Sequence, residues 1–528
     1  MLRKNRATVS APSSILAFGL QRSQEEITSS TTSLSGSIRI GGIMRSGSII
    51  EYGTSRTTLL AALLLLPFIS ACGSGTGRGG SSAPAPAPMF FTATDGVHGN
   101  EPWKTDGTAA GTVMVKDINP TTGVGSGSSG FTVFNGALYF QADDGVHGRE
   151  LWKTDGTAAG TVMVKDINTA AAGASASPND FTEFNGALYF GADDGVHGNE
   201  LWKTDGTVAG TVMVKDINIT ALNGGSAFPS VPAVFNGALY FAADDGVHGN
   251  ELWKTDGTAA GTVMVKDINP TAGVGSGSSG FTVFNGALYF SANDGVHGVE
   301  LWKTDGTTIG TVMVKDINTA VAGASASPND FTAFNGALYF GADDGVHGVE
   351  LWKTDGTTIG TVMVKDINTT AVNGGSAFPS VPAVFNGALY FAADDGVHGN
   401  ELWKTDGTAA GTMMVKDINP IGSAGPNGFT VFNGALYFQA DDGVHGRELW
   451  KTDGTAAGTM MVKDINPTGS GGPNDFTAFN GALYFQADDG VHGKELWKTD
   501  GTAAGTQMVQ DINPIGDSGA LGFVVFAP

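Results

Sequence analysis

From Met89 to Pro528 the chain is one unit of about fifty residues written nine times, and this repetition limits the fold more than any other property. The aspartate of a Trp-Lys-Thr-Asp-Gly string recurs at 106, 155, 205, 256, 305, 355, 406, 453 and 500, in steps of 49, 50, 51, 49, 50, 51, 47 and 47. Periods of this size belong to propellers, solenoids and arrays. The 49-50-51 series occurs twice, so a triplet of 150 residues was duplicated whole. Identity between copies therefore reports recency as well as function.

Each unit reads as four short strands. In the second copy Phe131–Phe134 alternates in polarity, and Asn135-Gly136 is a strong hairpin signal because both turn positions need positive φ. Ala137–Ala142 makes the second strand, Glu150–Thr154 the third and Thr161–Ile167 the fourth, with Asp-Gly turns between them. A long Gly/Ser/Pro connection such as Pro120–Gly130 follows. A meander with one long loop per repeat is the pattern of a propeller blade. The termini choose the ring over the open array. Copy one lacks its first strand, and Gly522–Phe526 at the far end matches Gly130–Phe134. The expectation is an all-β fold: a single β-propeller over 89–528, its nine four-stranded blades closed by pairing of the N- and C-terminal strands, with no exposed sheet edge at the junction.

The string Glu150-Leu151-Trp152-Lys153-Thr154-Asp155-Gly156-Thr157 resembles the bacterial ELWxxDGT repeat family, across all nine copies. The resemblance implies an extracytoplasmic multi-repeat architecture and no particular activity. Copy one departs from it at Pro102, where the others have leucine, which predicts a shorter or bulged third strand.

Ahead of the repeats, Leu59–Ile69 is too short to span a membrane and suits the apolar region of a signal peptide. It ends in Ile69-Ser70-Ala71-Cys72, and Cys72 is the single cysteine, which excludes a disulfide framework and a cysteine zinc cage. The expected organisation is an over-called start or disordered extension at 1–43, a lipoprotein signal peptide at 44–71, and a lipidated Cys72 with a Gly/Ser/Ala-Pro tether to 88. Gly73, not an aspartate, follows Cys72, as in lipoproteins sent to the outer membrane or cell surface.

One histidine occurs per copy, in an Asp-Gly-Val-His-Gly turn: His98, His147, His197, His248, His297, His347, His398, His445 and His492. A turn held by its own polar side chain and a ligand-binding rim are competing readings of it. A metal site is disfavoured, with one histidine per blade. The aspartates lack the alternation of a calcium loop. The tryptophans, one per copy, read as blade-to-blade packing, with a sugar-stacking ring as the alternative. Counting back from the Asp155-Gly156 turn sets Glu150 opposite Lys165 as an exposed ion pair, and lysine on the outermost strand would discourage edge pairing.

Catalysis needs unlike groups converging at one place, and no histidine, carboxylate or hydroxyl is unique to one blade in a way that suggests a site. No cofactor is expected. Variation falls on the long loops, among them 227–232 and 377–382, and on the residue after the histidine turn: Arg149, Arg447 and Lys494 where other copies have Asn or Val. That rim is the candidate binding surface. Residues 1–88 hold 8 of the 28 basic and 3 of the 51 acidic side chains, leaving the repeats with 20 against 48 and a net charge of −28. Such a field excludes nucleic acid as a partner. The leading reading is a monomeric, non-catalytic binding or scaffold module, anchored to a membrane by lipid, with a protein or glycan partner. A surface hydrolase or lyase acting on polysaccharide or peptide, and a passive structural repeat, are the alternatives.

Overall fold

The computed structural model describes residues 87–219, 232–369 and 382–526. The leader, Cys72, the tether as far as residue 86 and the apolar loops at 227–231 and 377–381 lie outside the described residues. Every regular element described is a β-strand, and the strands form nine four-stranded antiparallel sheets. The second blade shows the plan, with strands at Ser129–Phe134, Ala137–Asp143, Arg149–Thr154 and Val162–Lys165. First strands of successive blades lie side by side, the ninth beside the first, so they form the inner wall of a nine-bladed propeller. Asn135 and Gly136 sit at φ 46° and 70°, the left-handed pair that a tight hairpin matched to strand twist demands.

The first blade is assembled from both ends of the chain. Its strands are Leu521–Val525, Met89–Ala93, Glu101–Thr105 and Val113–Met114, in that spatial order. Met89 pairs with Val525 and Phe90 with Val524. Phe526 packs edge-on against Phe90 and Phe523 tilts against Phe91, both with centroids 5.6 Å apart. Pro102 has the predicted effect. Its counterpart Leu151 pairs with Lys165, but proline has no N–H to offer, and pairing in blade one stops at Trp103 and Met114.

No blade has a core of its own. Phe134, Tyr139, Leu151 and Val164 of blade two pack with Leu188, Phe190 and Trp202 of blade three, and equivalent clusters recur around the ring. The nine tryptophans are 5–7% exposed, so they are junction packing, not a solvent-facing ring. Sheets apolar on both faces require such sandwiching.

The expected Glu150–Lys165 pair does not form. Thr154 and Thr161 do face each other, Oγ1 to Oγ1 at 2.7 Å, and Trp152 does pair with Met163. A bulge at Val164 then slips the register, so that Lys165 pairs with Leu151 and Glu150 runs past the end of the ladder. Lys165 reaches instead to the next blade. Its ammonium donates to the Thr211 carbonyl at 2.7 Å and stands 5.6 Å from the Trp202 ring centroid. Lys153 likewise donates to the Gly206 carbonyl at 2.8 Å. The lysines are clasps between blades.

Loss of the closing strand should therefore be felt globally. A chain ending at Gly519 is expected to unfold at a lower temperature or aggregate, and Phe526→Ala alone should cost about 3–5 kcal/mol in denaturant unfolding. Unfolding indistinguishable from the full chain would contradict ring closure.

Candidate functional site

The hairpin between second and third strands and the long connection between blades share one rim. The chain strings them together directly: Asp143 donates its N–H to the Ser126 carbonyl at 2.9 Å, and Ala176 donates to the Arg149 carbonyl at 3.0 Å. All nine histidines lie on this rim in one geometry. In blade two, Asp144 Oδ1 accepts the N–H groups of Val146 (2.9 Å) and His147 (2.8 Å), and Asp144 Oδ2 meets His147 Nδ1 at 2.7 Å. The other eight pairs span 2.7–2.8 Å. Turn and rim are thus one device: the aspartate folds the turn and the imidazole, 38–43% exposed, faces outward from it.

The pairing sets the charge. Burial by itself would push the Asp144 carboxyl up, but the His147 N–H, the imidazole and the Val146 N–H outweigh it and hold the group below the ordinary carboxylate value. The hydrogen bond to Asp144 holds His147 above the ordinary imidazole value. Among the described residues no group of three or more His, Cys, Asp or Glu side chains is placed to hold a metal ion.

Arg149, Arg447 and Lys494 are exposed on the same rim, each two residues beyond its histidine. Arg447 and Lys494 stand on neighbouring blades eight and nine, and Arg149 on blade two, so these cations occupy one sector over the closing blade. The opposite side carries Val299 and Val349 on blades five and six.

Two features of the rim escaped the sequence. The first is Glu150, which is fully buried in all nine copies. Its Oε2 accepts the Ile167 N–H (2.7 Å) and its Oε1 those of Ala176 (3.1 Å) and Asn168 (3.4 Å), tying the exit of the fourth strand and the loop beyond it to the third strand. The second is apolar. The valine of each Asp-Gly-Val-His-Gly turn has its N–H held by the aspartate, and its side chain stands out 52–81% exposed. Ile421 and Ile515 on the loops extend this apolar ring.

The Calx-beta domain family matches residues 128–200 and 278–357. Each match begins at the first strand of one blade and runs to or past the third strand of the next, so neither delimits a unit of this fold. No curated protein matches the chain. Among solved structures it is similar to a prolyl endopeptidase at 11% identity, over 72% of this chain and 49% of that one, with a TM-score of 0.38. It is also similar to a puromycin hydrolase (14% identity, 75% of this chain and 61% of that one, TM-score 0.34). BamB from Moraxella catarrhalis is similar at 12% identity, over 68% of this chain and 94% of that one, with a TM-score of 0.34. The chain spans about half of the endopeptidase's length. Likenesses this remote do not extend to function.

The buried glutamates make stability depend on pH. Burial pushes Glu150 up to about 7, with the three backbone N–H groups opposing and the nearby Asp166 carboxylate reinforcing the shift. A carboxyl with a raised folded pKa binds its proton more tightly when folded. The stability it contributes is complete below its unfolded value of 4.5 and is lost as pH rises through about 7. The raised histidines add in the same direction, while the depressed aspartates cost stability only in acid. Thermal unfolding followed by calorimetry should show Tm highest near about pH 5 and lower by several degrees at about pH 8. A Tm that rises across that interval would contradict the raised glutamate pKa.

Proposed function

We propose that this chain is a lipid-anchored, non-catalytic binding module of the bacterial cell envelope, of the ELWxxDGT repeat kind. Cys72 tethers it, and its loop-bearing rim docks a protein partner outside the membrane. The ring of exposed valines carries the reading. Nine valines are held outward at 52–81% exposure by the same turn on every blade, and protein interfaces combine such apolar groups with polar surroundings. Here the valines alternate with Asp–His pairs, and the Arg149, Arg447 and Lys494 sector gives a symmetric ring one distinguishable side. The net charge of −28 keeps a tethered domain soluble and favours a partner that presents cations and apolar groups together.

Two variants test this. Cys72→Ser should move the protein from the membrane fraction to the soluble fraction. That soluble form should co-sediment with envelope fragments from the producing cells, and should stop doing so after the fragments are treated with protease. Serine in place of Val97, Val397, Val444 and Val491, on four consecutive blades, should leave folding within about 0.5 kcal/mol per site and abolish co-sedimentation. Retained co-sedimentation in the valine variant would overturn the rim as the docking surface.

A further inference from the structure

The face opposite the histidine rim carries a second kind of site. There the Asn-Gly hairpin and the Asp-Gly-Thr turn of one blade meet the Asp-Gly-Thr turn of the next. A cavity of about 430 Å³ opens between blades seven and eight, and another of about 410 Å³ between blades eight and nine, lined by the same residue types position for position. These volumes fall at the small end of the roughly 300–1,000 Å³ of small-molecule sites.

The polar groups in the first cavity are only partly used by the protein. Tyr390 is 2% exposed, yet its hydroxyl lines the cavity and makes no hydrogen bond to the described residues. The ring is buried while the hydroxyl opens into the cavity, where it is free to bond a ligand or water. Asp406 and Asp453 each hold Oδ1 in their own turn, accepting the N–H and Oγ1 of Thr408 and Thr455 at 2.7–2.8 Å, which leaves both Oδ2 atoms as acceptors. Lys404 donates once, to the Gly454 carbonyl at 2.9 Å, and has two protons left. Met413, 46% exposed, adds an apolar edge.

The phenol recurs. Around the ring Tyr139, Tyr189, Tyr240, Tyr289, Tyr339, Tyr390, Tyr437 and Tyr484 each bring the hydroxyl so close to the turn glycine of the next blade that a Cβ there would overlap it. At the ninth junction Phe90 takes the tyrosine's place beside Gly156.

We propose that these junctions are saccharide-binding subsites, each taking one neutral pyranose unit of a glycan. The chemistry selects the class. Two free carboxylate oxygens accept from adjacent hydroxyls, while the phenol and ammonium donate to a ring or hydroxyl oxygen, and the methionine meets a C–H face. An anion would face two aspartates, and a simple cation would face Lys404. Vicinal hydroxyls satisfy both kinds of group without net charge. Repetition around the ring makes the face multivalent, so weak subsites add by avidity on a repeating polymer. The site is separate from the rim and stands or falls without it.

The test is calorimetric titration of the full chain with the methyl glycosides of glucose, galactose, mannose and N-acetylglucosamine. At least one should bind with a stoichiometry above one and at most eight per chain, and methyl glucuronide should bind more weakly than methyl glucoside. Replacing all eight tyrosines by phenylalanine, the residue the chain already tolerates at Phe90, should weaken binding about five-fold or more. If those replacements lower Tm, Asp453→Asn decides instead, because it keeps the turn-holding oxygen, removes one free acceptor and touches two cavities. Failure of all four glycosides to bind, unchanged affinity in the tyrosine variant, unchanged affinity and stoichiometry in Asp453→Asn, or preference for the glucuronide would each overturn the proposal.

Discussion

Each blade buries its faces only against its neighbours, and the rest of the structure follows from that constraint. A four-stranded sheet apolar on both sides cannot stand in water alone. The Tyr139–Trp202 cluster belongs equally to blades two and three, so stability accumulates junction by junction. In an open array the two end sheets would each leave one apolar face in water. Closure removes both faces with a single strand, Leu521–Val525, which is why so short a segment matters so much. Lysine clasps strengthen the same junctions. Lys498 of blade nine donates to the Gly107 carbonyl of blade one at 2.8 Å, so the clasp runs through the seam.

A rigid ring in turn fixes its two faces. On one, the Asp–His turn presents a valine to solvent and a buried glutamate ties down the loop behind it. The glutamate is a demanding choice, since a carboxylate taken out of water needs partners for both oxygens. Glu150 finds them in the backbone N–H groups of Ile167 and Asn168, just past the end of the fourth strand, and of Ala176 on the loop beyond. The same residue thus ends the ladder and shapes the rim. On the other face the junction leaves polar groups unpaired, and binding capacity arises from how the blades meet.

The architecture was legible in the sequence because its signals are local or strictly periodic: Asn135-Gly136 turns, alternating strands, a fixed repeat and a first strand missing at one end and present at the other. Pro102 was legible too, through its missing N–H. Glu150 and Lys165 were misread because a bulge at Val164 has no signature in residue spacing, and a slip of one residue exchanges the faces of a strand. The clasps and the tyrosine hydroxyls were hidden for a different reason. Their partners, or the lack of them, lie on an adjacent repeat about fifty positions away, and copies this alike give no hint of which neighbour is meant.

Where the ring departs from symmetry, the departures gather at the closing blade. Phe90 stands where eight blades have tyrosine, Pro102 where they have leucine, and Gln510 of blade nine where the other eight have the outer lysine. Eight lysines stand over the next blade's tryptophan; among the described residues no such cation stands over Trp103. With its side-chain amide turned, Gln510 reaches the Thr112 carbonyl at 3.0 Å and the Ala109 carbonyl at 2.8 Å. A neutral amide bridging two carbonyls replaces one ammonium on one carbonyl, so this seam keeps one lysine clasp, Lys498, where the junction of blades two and three has two. Above that seam lie Arg447, Lys494 and Arg149. Duplication accounts for what the blades share, and the closing blade, built from two ends that had to meet, is where both the chemistry of the junction and the charge of the rim depart from the repeat.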